Sequence, residues 1–208
     1  MGYIRKIRTL ILLGLLLFVS NGFAQNAENI IKAFSDSYAL EKEGKYSAAA
    51  ETIKKVYADD SYEINLRLGW LNYNAGLYTE SASYYRKSVK LMPYSIEAKL
   101  GLVLPVYAQG NLTEVINVYN DILKIDKMNY TALYRLGAIN YGRKDYTKAY
   151  SYFEKVINMY PFDYDAINMF AWTNFRLGKL REAKVLFTKA LMNNPDDGSA
   201  KLGLEEIK

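Results

Sequence analysis

The sequence contains no cysteine and no histidine, and only four of its 208 residues are proline. Without cysteine there is no disulfide, no thiolate nucleophile and no thiolate ligand for a metal. Without histidine there is no Ser-His-Asp triad and no imidazole zinc site. Paired carboxylates do occur, in "EKEGK", in the "DD" pairs and in "LEEIK". They fall in turns or on solvated helix faces, whereas glycosidase chemistry needs two carboxylates held about 5–10 Å apart across a pocket. The reading is of a non-catalytic protein with no cofactor and no metal.

The N-terminus, "MGYIRKIRTLILLGLLLFVSNGFAQ", sets Arg5, Lys6 and Arg8 before an apolar run from Leu10 to Val19, then Gly22-Phe23-Ala24. This is the layout of a secretory signal peptide over residues 1–24, with cleavage after Ala24. The apolar run is shorter than the roughly 20 residues of a spanning helix, so no stable membrane span is expected after cleavage. Removing the three cations lowers the net charge from +5 to +2. The basic character belongs largely to the leader and does not point to nucleic acid. Leader layout and a Tyr-, Asn- and Lys-rich composition suggest an exported protein, periplasmic or secreted, of a Gram-negative bacterium.

What the sequence has in abundance is self-similarity. "LYRLGAINYGRKDYTKAYSYFEKVINMYP" aligns with "INMFAWTNFRLGKLREAKVLFTKALMNNP". Gly137 matches Ala171, Ala149 matches Ala183, Phe153 matches Phe187 and Pro161 matches Pro195, each 34 residues apart. The same step links Tyr73, Tyr107, Tyr141 and Phe175. Within one unit, Leu133, Leu136 and Gly137 form one helical apolar face, and Ala149, Phe153, Val156 and Ile157 a second. A short polar turn separates them, and in neighbouring units it carries Gly76, Gly110 and Gly178, suited to a left-handed residue after a helix. Each unit reads as two antiparallel helices, with small residues where they cross so that the axes approach closely.

These features resemble the tetratricopeptide repeat (TPR): a 34-residue period, a small residue in each helix, an aromatic late in the second helix and a terminal proline. The resemblance implies an all-α, right-handed α-solenoid of about five helix-turn-helix units. It covers a TPR array at 25–197, with units at about 30–61, 62–95, 96–129, 130–163 and 164–197. Residues 198–208 follow as a C-terminal capping helix, with Asp196 or Asp197 as N-cap and Leu202 and Leu204 covering the last hairpin. The third unit departs from the pattern. It has Val103 and Val115 at the two small sites and Pro105 inside its first helix, which predicts a kink and a wider crossing.

The family resemblance further implies that first helices line a concave face that holds peptides or partner segments. The expected groove residues are Leu66, Trp70 and Tyr73; Leu104 and Tyr107; Tyr134 and Tyr141; Trp172 and Phe175. Arg143 and Arg176 stand at its polar edge. Such aromatics offer large contact area with a polar tip. They serve packing between successive first helices, ligand contact, or both. Trp70 and Trp172 are the ones expected to be exposed, because no fixed aromatic occupies their register. The expected partner is a protein or peptide, with a place in an envelope complex possible. The alternative is a glycan or cell-wall ligand stacked on the same aromatics.

Overall fold

The computed structural model describes residues 27–207, and the expected leader at 1–24 lies outside them. The described residues form eleven helices and no strand, so the all-α expectation holds. They are α1, helical over 27–42, α2 (Tyr46–Lys54), α3 (Tyr62–Asn74), α4 (Tyr78–Leu91), α5 (Ile96–Ala108), α6 (Leu112–Ile125), α7 (Tyr130–Gly142), α8 (Tyr146–Met159), α9 (Tyr164–Arg176), α10 (Leu180–Asn193) and α11 (Gly198–Glu206). The chain divides into two compact units, and the division follows Gly110. The first holds α1–α5, the second α6–α11.

Five of the helices begin in one register, each behind a side chain that accepts a hydrogen bond from the backbone N–H three residues on. Ser61, Ser95, Asn129, Asp163 and Asp197 cap α3, α5, α7, α9 and α11. Each cap satisfies one donor that the first turn leaves without an intrahelical partner, worth about 1 kcal/mol. Three second helices, α2, α4 and α10, start at Lys45, Leu77 and Lys179 with no side-chain cap. Every second helix follows a tight turn, and before α2, α4, α6 and α10 the residues Gly44, Gly76, Gly110 and Gly178 take φ between +73° and +77°. In the fourth such turn the left-handed place is filled by Lys144, at φ 63°.

In the first unit α3 packs on α2, α4 and α5. Its core joins Ala49, Ala50 and Ile53 to Ile64, Leu68 and Leu71. In the second unit α7 packs on α6 and α8, α9 on α8 and α10, and α11 closes on α9 and α10. Here the core joins Ile167 and Ala171 to Ala183, Phe187, Ala190 and Ala200.

The small residues meet a ring from the second helix as well as the small site facing them. A Cβ on Gly137 would lie 2.8 Å from the Phe153 ring, and one on Gly69 2.8 Å from the Tyr85 ring. Both distances are too short for carbon atoms to tolerate without movement. Small-to-small approach is present too: Ser81, in the register of Ala149, donates its hydroxyl to the Gly69 carbonyl at 2.7 Å. Two glycines outside the expected small sites do the same work on the other side of the ring. Gly101 of α5 abuts Tyr85, and Gly203 of α11 abuts Phe187.

The C-terminal helix differs from expectation in which residues it buries. Ala200 and Gly203 are buried and Leu204 packs against the last core cluster, while Leu202 is 48% exposed. On a helix, positions 200, 203, 204 and 207 share a face and 202 points away from it. Asp197 is the N-cap. In the third repeat, α5 remains helical through the buried Pro105. Val103 and Val115 are both buried, and the division between the compact units falls between their helices.

Two substitutions test this account. Phe153→Ala removes a fully buried ring and should lower stability by about 3–5 kcal/mol in urea denaturation. Lys144→Gly should raise it by about 0.5–1 kcal/mol. The left-handed conformation costs a lysine about 1–2 kcal/mol, and the greater freedom of glycine in the unfolded chain offsets only part of that. An unchanged or lower midpoint for Lys144→Gly would show that the turn is relaxed with lysine.

Candidate functional site

In the unit that ends at Gly110, the expected groove residues sit on α3 and α5, one turn apart along each helix. Leu66 and Tyr73 are half-buried, Trp70 is 39% exposed, Leu104 is half-buried, and Tyr107 is 66% exposed. Trp70 is held in place by contacts within the chain. Its indole N–H donates to Glu41 Oε1 at 2.5 Å, and its ring lies 6.4 Å from that of Tyr73. Tyr73 in turn lies 5.7 Å from Tyr78.

Beneath Trp70 is a polar network that the sequence pattern did not reveal. Arg67 is buried between α3 and α1. Its Nη2 donates to Ser37 Oγ at 2.9 Å, its Nη1 donates to Glu41, and its guanidinium lies 3.9 Å from the centre of the Tyr38 ring. Burial works to raise the Glu41 carboxyl, but the hydrogen bonds from Trp70 and Arg67, with the Arg67 charge, outweigh it and hold it below its ordinary value. The available signal was Arg67 itself, a cation among the apolar residues of "INLRLGWL". It lies opposite Ser37, the only polar first-helix small site, and the serine hydroxyl supplies the acceptor.

In the unit that begins at Asn111, the face is more enclosed. Tyr134 is half-buried, stacked on Tyr130 at 5.9 Å and edge-on to Phe153 at 5.8 Å. Trp172 is half-buried: its ring meets Phe187 at 5.0 Å and Phe175 at 5.5 Å, and its N–H donates to Ser199 Oγ at 2.8 Å. It is less open than Trp70, because α11 follows α9 and supplies a partner for the indole. Tyr141 packs edge-on to Tyr146 at 5.4 Å, and its hydroxyl helps to hold the Arg176 guanidinium above its ordinary value. The exposed Arg176 guanidinium lies 5.9 Å from the Trp172 ring and 5.7 Å from Phe175. Arg143 is exposed in the turn after α7, off the helical face.

A second row of tyrosines ties neighbouring first helices together. Tyr130 donates to the Asp163 carboxylate at 3.1 Å, and Tyr164 donates to Asp197. Tyr62 donates to Glu97 at 3.1 Å and lies 2.8 Å from the Ser95 hydroxyl. In each case the first residue of one first helix reaches the N-cap residue of the next. Ile96 holds this place in the third repeat and has no hydroxyl. Among the described residues no cluster of carboxylates could hold a metal ion, and no helix is long and apolar enough to cross a membrane.

Comparison with known proteins adds the lineage. Models of the tetratricopeptide repeat match residues 37–96, 131–163 and 164–197. The segment between the first two matches is the repeat that carries Pro105. No curated protein matches the chain. Among solved structures, the protein MamA superposes with a TM-score of 0.70 at 23% identity, over 81% of this chain and 93% of that one. A tetratricopeptide repeat protein of Parabacteroides merdae gives 0.75 at 18% identity, over 86% and 72%. YrrB, described as a TPR protein with an unusual peptide-binding site, gives 0.70 at 14% identity, over 89% and 97%. At these identities the likeness shows the fold.

The tyrosine row predicts an alkaline transition. Tyr130 is pushed up to about 12, by burial first and then by the Asp163 charge and the hydrogen bond to it. The unfolded side chain titrates near 10. A hydroxyl that keeps its proton more tightly in the folded state contributes stability that is complete below about pH 10 and is lost as pH rises through about 12. Tyr130→Phe should therefore be less stable than the wild type at pH 8, and the two should converge between about pH 10 and 12. A gap that stays constant across that range would show that this hydroxyl does not set the profile.

Proposed function

Because the chain belongs to the tetratricopeptide-repeat family, we propose that it is an exported, non-catalytic scaffold. In this reading it binds an extended segment of a protein partner on the aromatic faces of its first helices. The observation that carries the reading is Trp70. Its ring is open to solvent while its N–H is fixed by Glu41, so its orientation is set before a ligand arrives. An anchor that loses little freedom on binding retains more of its contact energy as affinity. Tyr107, the most open of the expected groove aromatics, supplies a second apolar surface with a polar tip. In the other unit Arg176 sets an exposed cation beside Trp172 and Phe175, a place for a carboxylate or a backbone carbonyl of the bound segment.

Export rests on the order of charge, apolar run and small residues in the leader. It places the partner in the envelope or outside the cell, as a subunit of an envelope complex or a protein that passes through. Peptide binding, described for YrrB, is the use proposed here as well.

Affinity capture from an envelope extract tests this. The bait is residues 25–208, beside Trp70→Ala/Tyr107→Ala and Tyr141→Ala/Arg176→Ala variants checked for retained helicity. The expected result is a protein captured by the wild type and lost, by about tenfold or more, from at least one variant. Equal capture by all three would move binding to another surface. Heat released with soluble envelope glycans, and no protein captured, would give the aromatics to sugar instead.

A further inference from the structure

We propose that the exposed face of α10 is a second docking surface, shaped for an acidic amphipathic helix of a partner protein. It lies on a second helix and does not depend on the first-helix reading. The buried stripe of α10 is Ala183, Phe187 and Ala190. The opposite stripe, Arg181, Lys184, Val185, Thr188, Lys189 and Met192, recurs at three- and four-residue steps and so forms one continuous face. Val185 is 67% and Met192 71% exposed. Phe162, from the turn before α9, joins them, its carbonyl fixed by a 2.8 Å hydrogen bond from Asn193 Nδ2. Phe162, Lys184, Val185, Thr188, Lys189 and Met192 line an open recess of about 520 Å³. Single exposed apolar residues are ordinary, but three that converge on one recess mark an interaction surface. The unbranched thioether of Met192 lets the recess adapt to its occupant.

The charge around the recess identifies the occupant. On α2, α6 and α8 a lysine pairs with a carboxylate three residues earlier, Lys54 with Glu51, Lys124 with Asp121 and Lys148 with Asp145, and on α4 Lys87 pairs with Asp59. On α10, Arg181, Lys184 and Lys189 form none of the ion pairs found among the described residues, and Glu182 is the only carboxylate of the helix. A recess with an apolar floor and two lysines, Lys184 and Lys189, in its lining complements a helix with two apolar side chains, one turn apart, flanked by Glu or Asp.

The probe is a synthetic helical peptide with leucines at i and i+4 and glutamates beside them, compared with versions in which lysine replaces glutamate or serine replaces leucine. It is titrated into residues 25–208. The acidic peptide should bind, more weakly as salt rises, and the basic and serine versions should not. Lys184→Glu/Lys189→Glu and Val185→Ser/Met192→Ser should each weaken binding by about tenfold or more. Lys184, Val185 and Met192 are exposed and Lys189 is half-buried, none of them in the buried stripe, so both variants should keep wild-type helicity. Trp70→Ala/Tyr107→Ala should bind the peptide as the wild type does, which separates this surface from the first-helix faces. The proposal is overturned by no binding up to about 1 mM, by equal binding of acidic and basic peptides, or by full binding in both α10 variants. Binding to phosphatidylglycerol vesicles without peptide binding would assign the face to a membrane. A concentration-dependent dimer abolished by Val185→Ser/Met192→Ser would assign it to a second copy of this chain.

Discussion

The packing of each unit turns on an aromatic ring pressed against backbone from which a side chain is missing. Tyr85 stands between Gly69 of its own hairpin and Gly101 of the next first helix, sixteen residues to either side. Phe187 holds the same position between Ala171 and Gly203, and Phe153 rests on Gly137. A ring gains dispersion contacts only where nothing holds it off, and a gap of even half an ångström forfeits a good part of each contact. One such ring therefore fixes two helix–helix distances at once, within a hairpin and between hairpins. The small residue and the ring have to be specified together, and for this reason the 34-residue period preserves both.

Helix initiation is coupled to that stacking through shared side chains. Asp163 caps α9 through Ala166 N–H and also accepts the Tyr130 hydroxyl; Asp197 does both for α11 and Tyr164. A cap alone would stabilise one helix. A cap that a tyrosine also reaches makes the start of one helix conditional on the position of its predecessor, as expected where repeats are stable only with neighbours. The third repeat loosens each of these rules in sequence: Val103 at the small site, Ile96 at the tyrosine site and Pro105 within the helix. It is also where the chain divides into compact units and where the family matches are interrupted.

Much of this was legible in the sequence, because repetition turns one helical hairpin into several independent readings of the same pattern. The period, the hairpins, the left-handed turn glycines and the cap of α11 were all readable. What escaped was whatever depends on the far side of a contact. Gly101 and Gly203 looked like ordinary helix residues because the ring they accommodate belongs to the preceding hairpin. Lys144 was hidden because a left-handed turn position imposes a conformation, not a residue type. Leu202 was assigned inward on hydrophobicity, when the buried edge of that helix is set by Ala200, Gly203 and Leu204.

The two tryptophans show why the candidate site was less readable than the fold. They occupy one register and were expected to behave alike. Yet Trp70 leans back to Glu41 on α1 and stays open, whereas Trp172 leans forward to Ser199 on α11 and is half enclosed. Their difference comes from which neighbours the array supplies at its two ends, and a repeat pattern carries no such information. The converse also holds. What recurs at every period is accounted for by packing, so the positions free to serve a partner are those that break the period. Trp70 with its Arg67–Glu41 support and the lysines of α10 without the pairing found on other second helices are such departures, and Tyr107 keeps the periodic residue but departs in its exposure. Each is a local cost or exposure that the fold does not require, and the binding surfaces of the molecule are to be sought there.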